Sequence, residues 1–337
     1  MSVYYRPVVQ CGPRPGRGAW ALAGGPCWFN EVEVLSRTEA PQMIAAHDTP
    51  AAVLDRLTAP RPAIGGLDMA RPNLMGILNT TPDSFSDGGQ FHDPAAALAQ
   101  ARRMIAAGAD ILDIGGESTR PGAEVVPDAD EIARTAPVIA AIRAEWGGVM
   151  SIDTRKAVVA EAAIAAGAGL INDVSAFRHD PAMAGLAARS GLPVCLMHAQ
   201  GTPETMQRAP SYGDVTLDVY DMLEGRIAAA EAAGIPRARI LIDPGIGFGK
   251  TVDHNLALLA NLSLFHGLGC AILLGASRKR FIGALSGADD AASRVPGSVA
   301  VALAGIAQGV QVVRVHDMAE TRQAVTLWQA AMKGQRA

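Results

Sequence analysis

The stretch AAGADILDIG, residues 106–115, joins an alanine-rich helix end, a glycine and a short apolar run. A glycine after a helix allows the left-handed backbone that ends it. The apolar run lacks the alternation of a strand that is exposed on one face. The same order recurs in AAGAGLINDV (165–174), RSGLPVCLMH (189–198), AAGIPRARILIDPG (232–245) and AQGVQVVRVHD (307–317). This repeat predicts helices that alternate with buried parallel strands.

Three more apolar runs bring the number of predicted strands to eight. They are LMGIL (74–78), VMSI (149–152) and AILLG (271–275). Eight strand–helix units between about residues 72 and 334 match the roughly 250 residues of a (β/α)8 TIM barrel. The alternative is an open doubly wound sheet, whose dinucleotide-binding form carries a GxGxxG turn after its first strand. Here GILNTTPDSFSDGG follows instead, so we predict an α/β chain of the barrel class.

The first 66 residues follow a different pattern. We predict a small appended segment over residues 1–66 and a catalytic barrel over residues 67–337. APRPAIGG, at the end of the segment, has the proline and glycine content of a linker. Three runs before it resemble strands and one resembles a short helix: YYRPVVQ, AWALAG, CWFNEVEVL and TPAAVLDRL. No motif here carries chemistry, so a packing or oligomer role is favoured over a catalytic one.

The composition limits the classes of partner. The 337 residues are 49% hydrophobic and 18% charged, with a net charge of −4, as in ordinary globular proteins. A slightly acidic chain gives no support for binding to nucleic acid or to a membrane surface. The start MSVYYRPVVQ lacks the order of a signal peptide, and four cysteines without a CxxC pair indicate reduced thiols. We therefore expect a cytoplasmic protein.

The stretch DPGIGFGKT (243–251) resembles a phosphate-binding loop of a nucleotide hydrolase. That loop needs a glycine, four residues and then Gly-Lys-Ser/Thr. The position of the first glycine is occupied by Pro244, which has no amide hydrogen to give to a phosphate. The competing interpretation is an acid, Asp243, at the end of a buried strand, followed by a glycine-rich turn.

Polar side chains close all eight predicted strands. In a barrel of this class the active site lies at the carboxyl ends of the strands. A single polar residue there is better explained as a solvated loop residue or a cap, but eight together indicate a binding site. The candidates are Asn79; Glu117, Ser118, Thr119 and Arg120; Asp153; Asn172 and Asp173; Met197 and His198; Asp243; Ser277, Arg278, Lys279 and Arg280; and Arg314 with His316.

The residue types divide these candidates into two groups. Asp153, Asn172 and Asp243 are suited to a heterocycle rich in N–H donors, because a carboxylate accepts two parallel N–H bonds. The cations suit a phosphate or pyrophosphate; they are Arg120, Lys279, Arg314 and His316. The loop TPDSFSDGG offers Asp83 and Asp87 as candidate oxygen ligands for magnesium, and its glycines suit a mobile lid. The alternative for this loop is a plain surface turn.

Taken together, these motifs resemble those of the dihydropteroate synthase family. The matching blocks, in the order of that family, are MGILNTTPDSFSDGG, DIGGESTRPGAEVV, SIDTRK, INDVSA, CLMHAQGTPETMQ, LIDPGIGFGK, GASRKRFIG and VRVHD. They cover about residues 67–334 and leave the first 66 residues outside. The resemblance implies a homodimeric (β/α)8 enzyme of folate biosynthesis. It condenses 6-hydroxymethyl-7,8-dihydropterin pyrophosphate with 4-aminobenzoate, using Mg²⁺, and releases pyrophosphate.

The resemblance also implies roles for individual residues. Asp153, Lys279 and Asn79 are the expected catalytic residues, and Asn79 and Asp87 the expected magnesium ligands. The implied pterin site is Asp153, Asn172, Met197, Asp243 and Lys279. The implied pyrophosphate site is Asn79, Arg120, Arg314 and His316. The implied 4-aminobenzoate site is Phe85, Thr119, Pro121, Gly247, Phe248, Ser277 and Arg280.

One position departs from the pattern of some family members. Arg280 stands where they have a serine after the lysine. The carboxylate of 4-aminobenzoate is then held by a backbone amide, by the guanidinium, or by both.

Two other functions fit part of the pattern. A methyltetrahydrofolate-binding methyltransferase domain resembles this barrel and its Asp/Asn set, but it has no need of the cations in SRKR and RVH. A pterin-binding paralogue that has lost catalysis would be a non-enzyme, and the presence of every motif position argues against it.

Overall fold

The computed structural model describes residues 3–16, 18–81, 94–118, 123, 125–201 and 205–334, and the structural statements below concern these residues. The appended segment forms two small antiparallel sheets and one helix. The helix and most strands fall on the predicted runs, but the run CWFNEVEVL is divided into two strands and the strand Gln42–Ala45 was not predicted. One sheet has the strand order β1-β4-β5, and β2 pairs with β3. The elements are β1 (Val3–Pro7), β2 (Trp20–Ala21), β3 (Trp28–Phe29), β4 (Glu31–Ser36), β5 (Gln42–Ala45) and α1 (Ala51–Thr58).

Eight parallel strands of the described chain close into a barrel, which confirms the predicted fold class. The strands are β6 (Asn73–Asn79), β7 (Ile111–Gly115), β8 (Val149–Asp153), β9 (Leu170–Asp173), β10 (Val194–Met197), β11 (Ile240–Asp243), β12 (Ala271–Leu274) and β13 (Val312–Val315). In the closed order each strand pairs with its neighbours in the sequence, and β13 returns to β6. All eight carboxyl ends therefore lie at one mouth of the barrel.

Helices connect the strands and cover the outside of the barrel. They are α2 (Pro94–Ala106), α3 (Asp128–Glu145), α4 (Ala157–Ala166), α5 (Ala182–Ser190), α6 (Val215–Ala232), α7 (Val252–Ala260), α8 (Arg280–Ser286), α9 (Val295–Ile306) and α10 (Met318–Lys333). The five glycines of the repeated unit all have a positive φ. Gly167, for example, lies at the end of α4 with φ 114°. Glycine therefore ends these helices for the reason that the sequence suggested.

Alternate residues of each strand enter two different environments. Leu112 and Ile114 of β7 pack into the large core between the strands and the helices. Ile111 of the same strand belongs to a second cluster inside the barrel, with Val149, Leu170 and Leu241. The period of two along a strand produces this division. It also decides which of the polar side chains point into the barrel.

The lower end of the barrel is closed by the connection between α1 and β6. Ile64 and Met69 are 2% and 1% exposed and belong to the interior cluster of strand residues. Their burial adds apolar area at the end of the barrel opposite the strand carboxyl ends. The predicted domain boundary after residue 66 falls within this connection, and it stays a prediction.

The appended segment packs against the outer surface of the barrel. The Tyr4 hydroxyl donates to the Asp221 carboxylate on α6 at 2.9 Å. Arg37 forms ion pairs with Asp218 and Asp221, also on α6. The buried Arg61 donates to the carbonyl oxygen of His266 at 3.0 Å. These contacts attach the segment to the side of the barrel rather than to its mouth. No helix in the described ranges combines the length and the hydropathy that a bilayer crossing requires.

Candidate active site

A layer of polar side chains lies inside the upper half of the barrel, directly above the apolar cluster. Asp113, Asp153 and Asn172 stand two or more residues along their strands from Ile111, Val149 and Leu170, with the same parity. The same relation places Asp243 above Leu241 and Arg314 above Val312. These five residues are called the polar layer below. The strand period therefore brings four of the predicted site residues together and adds Asp113.

Arg314 forms the centre of the polar layer. Its Nε donates to Asp113 Oδ2 at 2.5 Å, and its Nη2 donates to Asp153 Oδ2 at 2.8 Å. The Asn172 side-chain amide also donates to Asp113 Oδ2, at 3.1 Å. Burial works against the charge of Arg314, but Asp113 and Asp153 outweigh it and raise the pKa of Arg314 above its usual range. Arg314 is thus a fixed positive charge between two buried acids.

The two acids keep unused acceptors. Asp113 Oδ1 and Asp153 Oδ1 are buried without a hydrogen-bond partner in the described part of the protein. Buried polar atoms in native proteins are normally paired, so unpaired ones point to a ligand. Burial raises the pKa of Asp153 to about 7, with Asp113 adding to the rise and Arg314 opposing it. The layer therefore offers carboxylate oxygens that require donors.

Asp243 extends the acceptor surface on the opposite wall of the barrel. Its Oδ1 accepts the Gly245 amide at 2.7 Å, which orients the carboxylate. A Cβ atom at Gly275 would lie 3.4 Å from Asp243 Oδ2. Burial raises the pKa of Asp243, and the positive charge of Lys279 opposes that rise. Asp243 is therefore held in one orientation, with Oδ2 on the side of the barrel interior.

Lys279 lies across the mouth beside Asp243. Its ammonium donates to the carbonyl oxygen of Ile246 and stands 4.4 Å from the centre of the Phe248 ring. Burial lowers the pKa of Lys279 to about 8, against the attraction of Asp243. Gly247 permits this approach, because it has φ 82° and its Cβ would lie 2.8 Å from Lys279 Cδ. One wall of the mouth is thus formed by Lys279, Gly247 and Phe248. All three are among the residues that the sequence predicts for the site.

The Gly-Lys-Thr of DPGIGFGKT has a structural role. Lys250 is buried and donates to the carbonyl oxygens of Gly245 at 2.8 Å and Phe248 at 3.0 Å, and it contacts His198 Nδ1 at 2.9 Å. Burial lowers the pKa of Lys250 well below its usual value. Thr251 caps α7 by accepting the His254 amide. Lys250 therefore points back into its own loop, which is incompatible with a nucleotide phosphate loop.

Other predicted residues that the structure describes lie at the ends of the neighbouring strands or just after them. Ser277 and His316 meet at the ends of β12 and β13, where the His316 amide donates to Ser277 Oγ at 3.2 Å. Asn79 ends β6 in register with Gly115, which is itself in register with Asp153. Met197 ends β10, buried and in register with Asp243. Arg280 is exposed at the start of α8. Six predicted residues lie outside the described residues: Asp83, Phe85, Asp87, Thr119, Arg120 and Pro121.

Two residues of the site were not found from the sequence. Asp113 is fully buried and lies in the middle of DILDIG, whereas the predicted site residues lie at strand ends. Its position in the strand could have identified it. Asp113 lies between Leu112 and Ile114, which face outward, so its own side chain faces the barrel interior. Lys250 was considered only as part of a phosphate loop. Its contact with His198 joins positions 52 apart in the chain, and no spacing rule predicts it.

Comparison with known proteins agrees with this geometry. The sequence pattern of the family described as pterin binding enzyme matches residues 75–316. A dihydropteroate synthase from Neisseria meningitidis serogroup B is 50% identical over 270 residues, which cover 79% of this chain and 94% of the relative. The matched region contains every predicted site residue.

Solved structures of relatives have the same fold. A dihydropteroate synthase of Xanthomonas albilineans with 4-aminobenzoic acid superposes with a TM-score of 0.76 at 48% identity and covers 81% of this chain and 98% of its own. A dihydropteroate synthase from the same organism, in complex with 7,8-dihydropteroate, gives a TM-score of 0.72 at 46% identity, over 79% and 95% of the two chains.

Proposed function

We infer the function from one premise: the chain belongs to the pterin-binding enzymes and, among them, to the dihydropteroate synthases. It is a transferase of folate biosynthesis that condenses 6-hydroxymethyl-7,8-dihydropterin pyrophosphate with 4-aminobenzoate to give 7,8-dihydropteroate and pyrophosphate. The observation that carries the residue assignments below is the polar layer, which holds buried acids with unused acceptors at the mouth of the barrel.

The polar layer is the proposed pterin site. A dihydropterin presents a 2-amino group and ring N–H groups, and the carboxylates of Asp153 and Asp243 are acceptors for them. Asn172 adds an amide that Asp113 holds in place. Met197 supplies an apolar contact for the ring, and Lys279 a donor for its carbonyl oxygen. The apolar cluster beneath sets the depth to which the ring enters.

The cations at the mouth are the proposed pyrophosphate site. Arg314 and His316 lie at the end of β13, and Arg314 keeps its charge through its contact with Asp113. The substrate would replace the contact of Arg314 with Asp153, because that carboxylate is then engaged by the ring. Arg120 and Asn79 complete the proposed set.

Mg²⁺ is the proposed cofactor. It is bound in proteins by one or two oxygen ligands together with substrate phosphates and water. Asn79 offers an amide oxygen at the end of β6, level with Asp153 in the register of the strands, so its chemistry and position fit the ion. Asp87 is the second proposed ligand. When bound, the ion supplies positive charge against the leaving pyrophosphate.

The wall formed by Lys279, Gly247 and Phe248 is one side of the proposed 4-aminobenzoate site. The Phe248 ring offers a face to the aromatic substrate. Ser277 and Arg280 are the proposed partners of its carboxylate, and the exposed side chain of Arg280 is free to turn towards the mouth. Phe85, Thr119 and Pro121 complete the proposed set.

The residues support a dissociative substitution. Arg314 and His316 stabilise the negative charge that develops on the departing pyrophosphate. The pterin methylene then becomes cationic, and Asp153 stabilises that charge through the ring. The cationic pterin beside Asp153 favours the ionised form of this carboxyl group. It thereby opposes the effect of burial, which raises the pKa of Asp153. The amine of 4-aminobenzoate attacks last and loses its proton afterwards, so no strong general base is required.

Two further properties belong to the proposal. The protein acts as a homodimer, as the family resemblance implies. It acts in the cytoplasm, which is supported by four cysteines that are all free, as expected in a reducing compartment.

A turnover assay tests the proposal. The purified chain is incubated with the pterin pyrophosphate, 4-aminobenzoate and Mg²⁺, and both pyrophosphate and dihydropteroate are measured. We expect the two products in equal amounts. Pterin binding without either product would indicate a paralogue without catalysis. Methyl transfer from methyltetrahydrofolate, with no dihydropteroate formed, would indicate a methyltransferase.

A further inference from the structure

Two cysteines that are 16 positions apart lie side by side in the appended segment. Cys11 Sγ and Cys27 Sγ are separated by 3.8 Å. Cys195 and Cys270, by contrast, are buried in the barrel domain. The segment lies outside the matched family region, and the function proposed above does not involve this pair.

The backbone places the two cysteines opposite each other. Gln10 and Trp28 form an antiparallel bridge, in which the Gln10 amide donates to Trp28 at 2.7 Å and the Trp28 amide donates back at 3.0 Å. One step further along, Cys11 faces Cys27. Their sulfurs are 3.8 Å apart. Facing residues on adjacent antiparallel segments have Cα atoms close enough for a disulfide to span.

The two thiols differ in their exposure and in their pKa. Cys11 is partly exposed and Cys27 is buried. The hydrogen bond from Cys27 lowers the pKa of Cys11 despite its partial burial. The same interaction, together with burial, raises the pKa of Cys27. The accessible sulfur is therefore the one that ionises first, which is the arrangement of a nucleophilic thiol with a resolving partner.

The pair also contacts the barrel. The Cys11 thiol lies 3.3 Å from the carbonyl oxygen of Ala307, and the Cys27 thiol lies 3.5 Å from that of Ile306. These carbonyls end α9, which leads through Gly309 into β13 and Arg314. Each reduced thiol has one S–H to donate, either to one of these oxygens or to the other sulfur, and a disulfide has none.

We propose that Cys11 and Cys27 form a redox-active dithiol site that reacts with a low-molecular-weight disulfide. The Cys11 thiolate attacks one sulfur of the small disulfide and expels one thiolate. The buried Cys27 loses its proton, attacks Cys11 Sγ and expels the second thiolate. In total, two protein thiols are oxidised to one disulfide and one small disulfide is reduced to two thiols.

Oxidation changes how the appended segment is attached. The new bond joins the two ends of the chain between Cys11 and Cys27, and it leaves no S–H donor for the carbonyls of Ile306 and Ala307. The oxidised segment therefore becomes stiffer in itself and less firmly bound to the end of α9. The Cys11–Cys27 pair is not part of the polar layer. Enzyme turnover is therefore not the measurement that tests this proposal.

The test uses the full chain and oxidised glutathione as the probe. The reduced protein is incubated with the probe and denatured, and its free thiols are then alkylated and counted. Peptide mapping locates any bond. We expect the count to fall from four to two, with one link between Cys11 and Cys27 that dithiothreitol reverses. An unchanged count, a stable glutathione adduct on Cys11 without the link, or a link to Cys195 or Cys270 would overturn the proposal.

Variants separate the roles of the two sulfurs. In Cys27→Ser, one glutathione should remain on Cys11, because the resolving thiol is missing. In Cys11→Ser, the buried Cys27 should gain no adduct. Cys270→Ala is the matched control and should still form the link, with the count falling from three to one. A Cys27→Ser protein without an adduct, or adduct formation at Cys27 in Cys11→Ser, would contradict the assigned order of attack.

Discussion

The lower and upper halves of the barrel interior are built from the same strands and have opposite chemistry. In the lower half Ile111, Val149 and Leu170 pack with Ile64 and Met69 and exclude polar atoms. In the upper half, inward positions nearer the carboxyl ends of these strands carry Asp113, Asp153 and Asn172. Arg314 pairs with the two acids, and Asn172 donates to Asp113. A step of two to four residues along a strand thus separates a region that favours folding from the proposed pterin site.

The difference explains why the polar layer can be tolerated. Burial of an acid costs stability unless the acid is fully paired, and both Asp113 and Asp153 retain an unpaired oxygen. The apolar lower half and the outer core offset that cost. Substitutions above should therefore change turnover more than stability, and substitutions below should do the reverse.

The largest expected effect is on turnover in the upper half. Asp153→Asn keeps the size of the side chain and removes the charge that stabilises the cationic pterin, so we expect kcat to fall about 100-fold or more. Steady-state kinetics measure it, and circular dichroism verifies the fold. Ser151→Ala, an inward substitution on the same strand, is the control and should lose less than about threefold. Near-normal kcat in Asp153→Asn would remove Asp153 from the mechanism.

The next effect is on stability in the lower half. Ile64→Ala leaves a cavity beneath the strands and should lower the free energy of unfolding by about 2–5 kcal/mol. The KM and kcat values, measured well below the unfolding temperature, should stay within about twofold. Urea denaturation combined with kinetics checks this, with the exposed Val125→Ala as the control. A large loss of kcat without loss of stability would show that the two halves do not divide the roles in this way.

The pH dependence of stability sharpens the comparison. An unfolded aspartate has a pKa of about 3.9, and burial raises the pKa of Asp153 in the folded protein to about 7. The folded state therefore holds more protons between these values, and the wild type loses stability as the pH rises from 4 to 7.

The Asp153→Asn variant lacks this contribution. Its free energy of unfolding relative to wild type should therefore rise between pH 5 and pH 8, by on the order of 2 kcal/mol. Denaturant unfolding at several pH values measures the difference. The same difference at pH 5 and pH 8 would mean that Asp153 titrates normally in the folded protein.

The smallest effect is expected at the loop that supports the mouth. Lys250→Met keeps the length of the side chain but leaves the carbonyls of Gly245 and Phe248 without a donor. We expect a loss of about 1–3 kcal/mol in stability and a larger KM for 4-aminobenzoate, since Phe248 is then less well held. Thermal unfolding and kinetics measure both. Lys333→Met, on the exposed end of α10, is the control, and equal behaviour of the two variants would contradict the assignment.

The fold was predictable because the signals were local. Helix-ending glycines such as Gly167, together with continuous apolar runs, identified the strands and hence the barrel. Asp153 and Asn172 were predictable because they end strands. Asp113 was missed because it lies within one, although its parity was visible. The contacts of Lys250 with His198 and of Cys11 with Cys27 arise from tertiary packing and strand register, which spacing along the sequence does not encode.

The central claim is that the polar layer binds the pterin, and direct titration tests it. Calorimetry with the pterin pyrophosphate and Mg²⁺, without 4-aminobenzoate, compares wild type with Asp243→Asn. In that variant an amide replaces an acceptor that faces the barrel interior. Asp221→Asn, which lies on α6 against Tyr4, is the control. We predict one site per chain in wild type and the control, and binding weaker by about 10–100-fold in Asp243→Asn. Equal affinity in all three proteins would contradict the claim.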